Sequence, residues 1–296
     1  MKRRIFIQDG LLRATGIAFT HSLVFGSWNP APRVKTSCNF FSFNKLITDG
    51  TMSTEEVIDL CAEMGFDGVD ITGYYLTGYP EVPSDEYIYR IKNRVIKQGM
   101  RISGTGVRND FGQESKEGVE QDIQLVKDWI DVAAKLGAPM IRIFAGKKLK
   151  EHQSREKAIA QIKQAFSTCI GYGAKKGVIV TYQNHNDVFF RAAEVKEIME
   201  ELKNQWFGLN LDIGSLRTGD PYQEIEMLLP YARNWQVKEH VYRHGVKETV
   251  DLEKLGKIIL LGEYQGYVPL ETLPPSDPRE ALPGFLKSLE SALYRT

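Results

Sequence analysis

Gln183, Asp212, Gln236, Lys238 and Glu271 carry the side chains in this chain best suited to chemistry on a polar substrate. They fall at the ends of four short apolar runs: Val178–His185, Gly208–Asp212, Asn234–His240 and Tyr267–Glu271. Two carboxylates, two amides and an ammonium could together bind a cation, hold an oxyanion and exchange a proton. Such work requires convergence, and helix-length segments separate the runs. Parallel strands of a βα barrel satisfy this, because their carboxyl ends open on one common mouth.

The elements needed to position these groups are legible along the chain. Strand patterns occur at 34–41, 68–72, 101–107, 139–144, 178–183, 208–212, 234–239 and 267–271. Helical spacing of apolar residues fills 54–64, 85–98, 116–136, 154–176 and 192–203, with shorter helices near 222–232 and 251–261. Ser53-Thr54-Glu55-Glu56 reads as a helix start, and Gly65, Gly137 and Gly177 as helix stops just ahead of strands. Eight alternating units over 34–296 predict an α/β fold, a single (β/α)8 TIM barrel. Alternation along a strand then sorts the side chains. One parity turns Gln183, Asp212, Gln236, Lys238 and Glu271 inward together, with Leu209, Leu211, Trp235 and Val237 facing the helices.

Composition bounds the function. The 296 residues are 42% hydrophobic and 26% charged, with 38 basic against 38 acidic side chains, which gives no electrostatic footprint for nucleic acid. No apolar run is long enough to span a membrane. Cys38, Cys61 and Cys169 show neither zinc nor disulfide spacing and read as buried thiols. Residues 1–30 stand apart: Arg3-Arg4 ahead of Ile5-Phe6-Ile7 and a weakly apolar stretch from Ala14 to Gly26 resemble a twin-arginine export signal. That reading places the protein in the periplasm or beyond. The alternative is a cytoplasmic protein with an amphipathic extension.

The segments Glu63–Asp70, Tyr182-Gln183-Asn184-His185, Gly208–Gly214 and Leu270-Glu271-Thr272 resemble the xylose isomerase-like TIM-barrel superfamily, in its sugar phosphate isomerase/epimerase branch. The resemblance spans 34–296. It implies a site in which Glu, Asp, His and Glu on strands five to eight hold one divalent metal and the two Glu residues act as paired acid and base. Carried onto this chain, the metal positions are Gln183, Asp212, Gln236 and Glu271. Asp212 and Glu271 match, whereas Gln183 replaces a Glu and Gln236 a His; Ser215 stands where many relatives have a further His. Two carboxylates and two amide oxygens suit Mg²⁺ or Mn²⁺ better than zinc, but Gln183 has no proton to exchange.

Glu271 is therefore the expected base, with Lys238 or His185 as its proton partner. Asn109, Arg142, Tyr74 and His240 are candidate contacts to a small-molecule carbohydrate. Arg142 lies inside an apolar strand and must pair with a carboxylate or reach the pocket. Tyr74 belongs to a tyrosine-rich loop that suits either a lid over a sugar or packing against a neighbouring loop or subunit, so a homo-oligomer is compatible with the sequence. His240, Arg243 and His244 fall in a longer connection, for which solvated loop residues are the plainer reading. The expected activity is metal-dependent isomerisation or epimerisation of a sugar or keto-sugar by proton abstraction beside a carbonyl. The alternatives are a lyase or hydratase acting on 3-keto-glycosides and a sugar-binding barrel without catalysis.

Overall fold

The computed structural model describes residues 34–185 and 187–294. The export-signal reading of residues 1–30 lies outside them. Eight parallel strands close into a barrel: β1 (Val34–Asn39), β2 (Gly68–Thr72), β3 (Arg101–Gly106), β4 (Met140–Ile143), β5 (Ile179–Gln183), β6 (Phe207–Asp212), β7 (Ala232–Lys238) and, after a hairpin of β8 (His240–Arg243) and β9 (Val246–Thr249), β10 (Gly266–Glu271). β10 pairs with β1 on one side and β7 on the other, so the eight units form the TIM barrel that the pattern predicts. No helix among the described residues is long and apolar enough to cross a membrane.

Outward side chains such as Val69, Ile71, Ile141, Val180, Leu209, Leu211, Trp235 and Val237 are buried against the surrounding helices. The helix boundaries follow local chemistry. Ser53 accepts from the Glu56 backbone N–H while Glu56 accepts from the Ser53 N–H, closing a capping box on Thr54–Met64. Gly65, Gly137 and Gly177 end their helices at φ of 92°, 76° and 70°, a conformation that favours glycine.

The barrel interior is polar by comparison. Ser37 on β1 and Ser103 on β3 share a hydrogen bond of 2.6 Å, and Asn234 on β7 donates across the barrel to buried Asp70 on β2 at 2.9 Å. These contacts plug the lower barrel, and Asp212, Lys238 and Glu271 lie above them at the carboxyl ends.

Two elements depart from the sequence reading. Residues 240–249 form an antiparallel hairpin rather than an irregular loop. Its two-residue turn, His244-Gly245, has φ of 48° and 82°, the mirror-image turn that matches the strand twist. Arg243 fastens the hairpin to Asp220 and Glu248. A further helix, Pro278–Tyr294, follows β10 and buries Leu282, Leu286, Leu289 and Leu293.

Two glycines in helix Arg155–Lys176 test the packing. A Cβ at Gly171 would meet nothing within 4 Å, whereas one at Gly173 would lie 2.6 Å from the Val178 carbonyl oxygen. Gly171→Ala should raise stability by about 0.5–1 kcal/mol through helix propensity. Gly173→Ala should lower it by about 1–3 kcal/mol despite the same gain, because the helix must shift off β5. Urea unfolding of the two variants checks the opposite signs.

Candidate active site

Asp212, at the end of β6, is fully buried, so its charge must be matched by donors. Its Oδ2 accepts from Gln183 Nε2 at 2.8 Å, Lys238 Nζ at 2.8 Å and Ser215 Oγ at 2.9 Å, while Oδ1 accepts from the Gly214 N–H at 3.0 Å. The backbone beneath is fixed as firmly: the Asn184 amide donates to the Asp212 carbonyl and accepts its N–H, both at 2.9 Å. Burial pushes the carboxyl up, but the Lys238 charge and these hydrogen bonds outweigh it and hold Asp212 below its usual value.

Lys238 and Glu271 end neighbouring strands in direct register. Lys238 Nζ lies 3.5 Å from Glu271 Oε1, so one ammonium bridges two carboxylates. Gly214 makes room for it, since a Cβ there would stand 2.6 Å from Lys238 Cδ. Burial by itself would lower the lysine, yet Asp212 and Glu271 override it and hold the ammonium above its ordinary range. Glu271 fares differently. Its Oε2 is buried without a hydrogen-bond partner, and desolvation pushes the carboxyl up to about 7 against the pull of Lys238. A proton-exchanging group near neutrality thus sits beside a fixed positive charge.

This arrangement fits a divalent ion poorly. The ammonium occupies the space between Asp212 and Glu271, and Asp212 Oδ2 already takes three donors. Gln183 turns an N–H toward that carboxylate, and the Gln236 carbonyl accepts from Asn210 Nδ2 at 3.2 Å. Among the described residues, no group of three or more His, Cys, Asp or Glu side chains could hold a metal. The expectation of Mg²⁺ or Mn²⁺ on Gln183, Asp212, Gln236 and Glu271 therefore meets a site whose cation is a lysine. Parity gives the face of each side chain correctly, but not which end of an amide points at its neighbour.

Around this centre the remaining residues divide. The His185 ring packs on Phe144 with centroids 4.9 Å apart at the rim. Desolvation and the nearby Lys238, Arg142 and Arg217 charges lower it against the pull of Asp212, so the ring is neutral at pH 7. Among the described residues buried Arg142 forms no ion pair; it donates from Nη1 to the Val107 carbonyl at 2.7 Å and lies 4.2 Å from the Phe144 ring centre. His240 lines a cavity of about 150 Å³ together with Lys238, Arg217 and Tyr242.

Asn109 has another task. Its amide donates to the Phe144 carbonyl and accepts from the Phe144 N–H, clamping the β4 loop, so its polar atoms are turned to the backbone rather than offered to a sugar. Tyr74 stacks under Arg108 at 4.1 Å and edge-on to Tyr75 and Tyr79, a packed aromatic cluster at the mouth. Arg217, five residues beyond Asp212, stacks on Tyr242 at 4.1 Å. No spacing or composition signal marks it in the sequence.

Lys238→Met should cost about 3–5 kcal/mol, because it leaves Asp212 buried and ionised without its counter-charge. Adding Asp212→Asn should recover much of that loss, and a double-mutant cycle by thermal unfolding measures the coupling.

No curated protein matches the chain. Solved structures share its fold at low identity. The apo form of 3-keto-D-glucoside 4-epimerase from E. coli superposes with a TM-score of 0.70 at 17% identity, covering 88% of this chain and 99% of that one. D-psicose 3-epimerase in the presence of D-fructose gives 0.73 at 14%, covering 88% and 99%. The IOLI protein with a bound zinc atom gives 0.69 at 12%, covering 87% and 96%. The family model described as xylose isomerase-like TIM barrel matches residues 58–289. With its closed eight-stranded barrel and strand-end polar cluster, this chain belongs to the xylose isomerase-like TIM-barrel family.

Proposed function

We propose that this chain is a sugar or keto-sugar isomerase or epimerase that abstracts a proton beside a carbonyl, with Glu271 as base and Lys238 as the charge that makes the carbon acid reactive. The observation that carries this reading is the free Glu271 Oε2 next to a buried ammonium. The proton passes from carbon to Glu271. The electron pair moves to the carbonyl oxygen, which Lys238 stabilises as it becomes an enolate oxygen. Asp212 takes no proton; it holds Lys238 charged and in place. Transfer of the adjacent hydroxyl proton to that enolate oxygen, with return of the carbon proton by Glu271 to the former carbonyl carbon, completes an isomerisation. Delivery to the other face of a solvent proton relayed through the neutral His185 ring, with Glu271 releasing its own proton to solvent, completes an epimerisation. Lys238 here supplies the positive charge for which the family resemblance implies a divalent ion.

Gln183 favours a second reading. In place of the second carboxylate it provides no base, and elimination needs only one base plus an acid for the leaving group. A lyase acting on 3-keto-glycosides would use Glu271 as the base, with a solvent proton relayed through the neutral His185 ring to the departing oxygen. Export through residues 1–30 would suit it, since glycosides are met outside the cytoplasm.

Glu271 must be ionised to act, so kcat/KM should rise with pH through about 7 and level off above it, with Lys238 remaining protonated throughout. Glu271→Gln should lower kcat/KM by about 10²–10⁴-fold. Deuterium incorporation from solvent into an intact isomerised or epimerised sugar, followed by NMR, supports the first reading. Release of the aglycone with an unsaturated keto product selects the second. Absence of exchange with free sugars and 3-keto-glycosides alike would overturn both.

A further inference from the structure

Arg142 is a buried cation that, among the described residues, forms no ion pair, although Asp70 and Glu271 both feel its charge. It is 7% exposed, and its hydrogen bond to the Val107 carbonyl occupies one of the five N–H donors of a guanidinium. Among the described residues none of its nitrogens is both unpaired and sealed from solvent, so the remaining donors keep some access to solvent. The fold has built a slot for the group. A Cβ at Gly106, the in-register neighbour on β3, would lie 2.8 Å from the guanidinium carbon, so only glycine lets the plane lie against that strand. The Phe144 ring covers it at 4.2 Å and carries His185 on the same ring at 4.9 Å. A planar cation held by backbone and ring is preorganised for a planar or tetrahedral oxyanion.

The rim repeats the pattern. Arg108 on Tyr74 and Arg217 on Tyr242, each 4.1 Å from its ring, also form no ion pair among the described residues, whereas Lys238 is answered by both Asp212 and Glu271. Maintaining a buried, unpaired guanidinium is costly unless a ligand completes it. The two rim arginines raise the local concentration of anions at the mouth. Glu271 and His185 both feel the Arg142 charge, which places the slot within electrostatic reach of the reacting groups.

We infer that Arg142 is the anchor for an oxyanion on the substrate, so that the sugar handled by Glu271 and Lys238 carries a carboxylate or a phosphate in addition to its carbonyl. This rests on the proton-abstraction reading for the identity of the substrate as a sugar, but the anion slot can be tested separately.

The test is binding of D-glucuronate, D-glucose 6-phosphate and D-glucose to the full chain by calorimetry at low and high salt, for wild type, Arg142→Lys, Arg142→Gln, Arg217→Gln and Glu271→Gln. At least one anionic sugar should bind about tenfold or more tighter than glucose, and the better of the two identifies carboxylate or phosphate as the source. Arg142→Gln should remove that preference without weakening glucose. Arg142→Lys, which keeps the buried charge and so guards against loss of the fold, should retain part of it. Arg217→Gln should reduce the salt dependence. Glu271→Gln should keep the anion preference while losing deuterium exchange. Equal binding of charged and neutral sugars, or a preference unmoved by both Arg142 variants, would overturn the slot. Anion binding through Arg142 with no exchange in any sugar would support the slot and overturn the proton-abstraction reading.

Discussion

Everything at the mouth of this barrel depends on one buried ammonium held between two carboxylates. Lys238 is 2.8 Å from Asp212 and 3.5 Å from Glu271, and that asymmetry sets the chemistry of both acids. Asp212 takes the closer contact along with three further donors and stays ionised. Glu271 receives less of the charge, keeps one oxygen unpaired and is pushed up to about 7. Two carboxylates on adjoining positions thereby acquire different roles from their surroundings alone. Removing the lysine would leave negative charge in a low-dielectric space with nothing to answer it.

The scaffold makes this affordable by fixing the groups before any ligand arrives. Asn184 locks β6 to the β5 loop, Gly214 clears the path of the Lys238 stem, and Asn109 clamps the backbone at Phe144 beneath His185 and Arg142. These residues supply the rigidity on which the positions of Lys238, Glu271 and Arg142 rest, and that preorganisation is what gives a fixed charge its catalytic value.

Much of this is legible in the sequence, and the limits have physical causes. Strand periodicity and glycine stops place all eight barrel strands, because those signals are local and repeated. Parity identifies Gln183, Asp212, Gln236, Lys238 and Glu271 as neighbours, because alternation along a strand is geometric. Rotamers are not encoded in the same way. Nothing in the residue types shows that Gln183 presents its N–H to Asp212, that Asn210 occupies the Gln236 carbonyl, or that Lys238 fills the space a metal would need. The hairpin at 240–249 carried a signal in His244-Gly245, but histidine is an uncommon first residue for such a turn. Arg217 had none, since its place follows from the Tyr242 ring on that hairpin.

The central claim is that the cation of this site is Lys238. Calorimetric titration of Mn²⁺ into the full chain, with Lys238→Ala and Lys238→Ala/Gln183→Glu alongside, tests it most directly. The account predicts no saturable binding to wild type and the appearance of a site once the ammonium is removed and a third carboxylate restored. Saturable binding to wild type that is lost on Asp212→Asn would contradict it, because the ion would then have displaced Lys238 from the place assigned to it here.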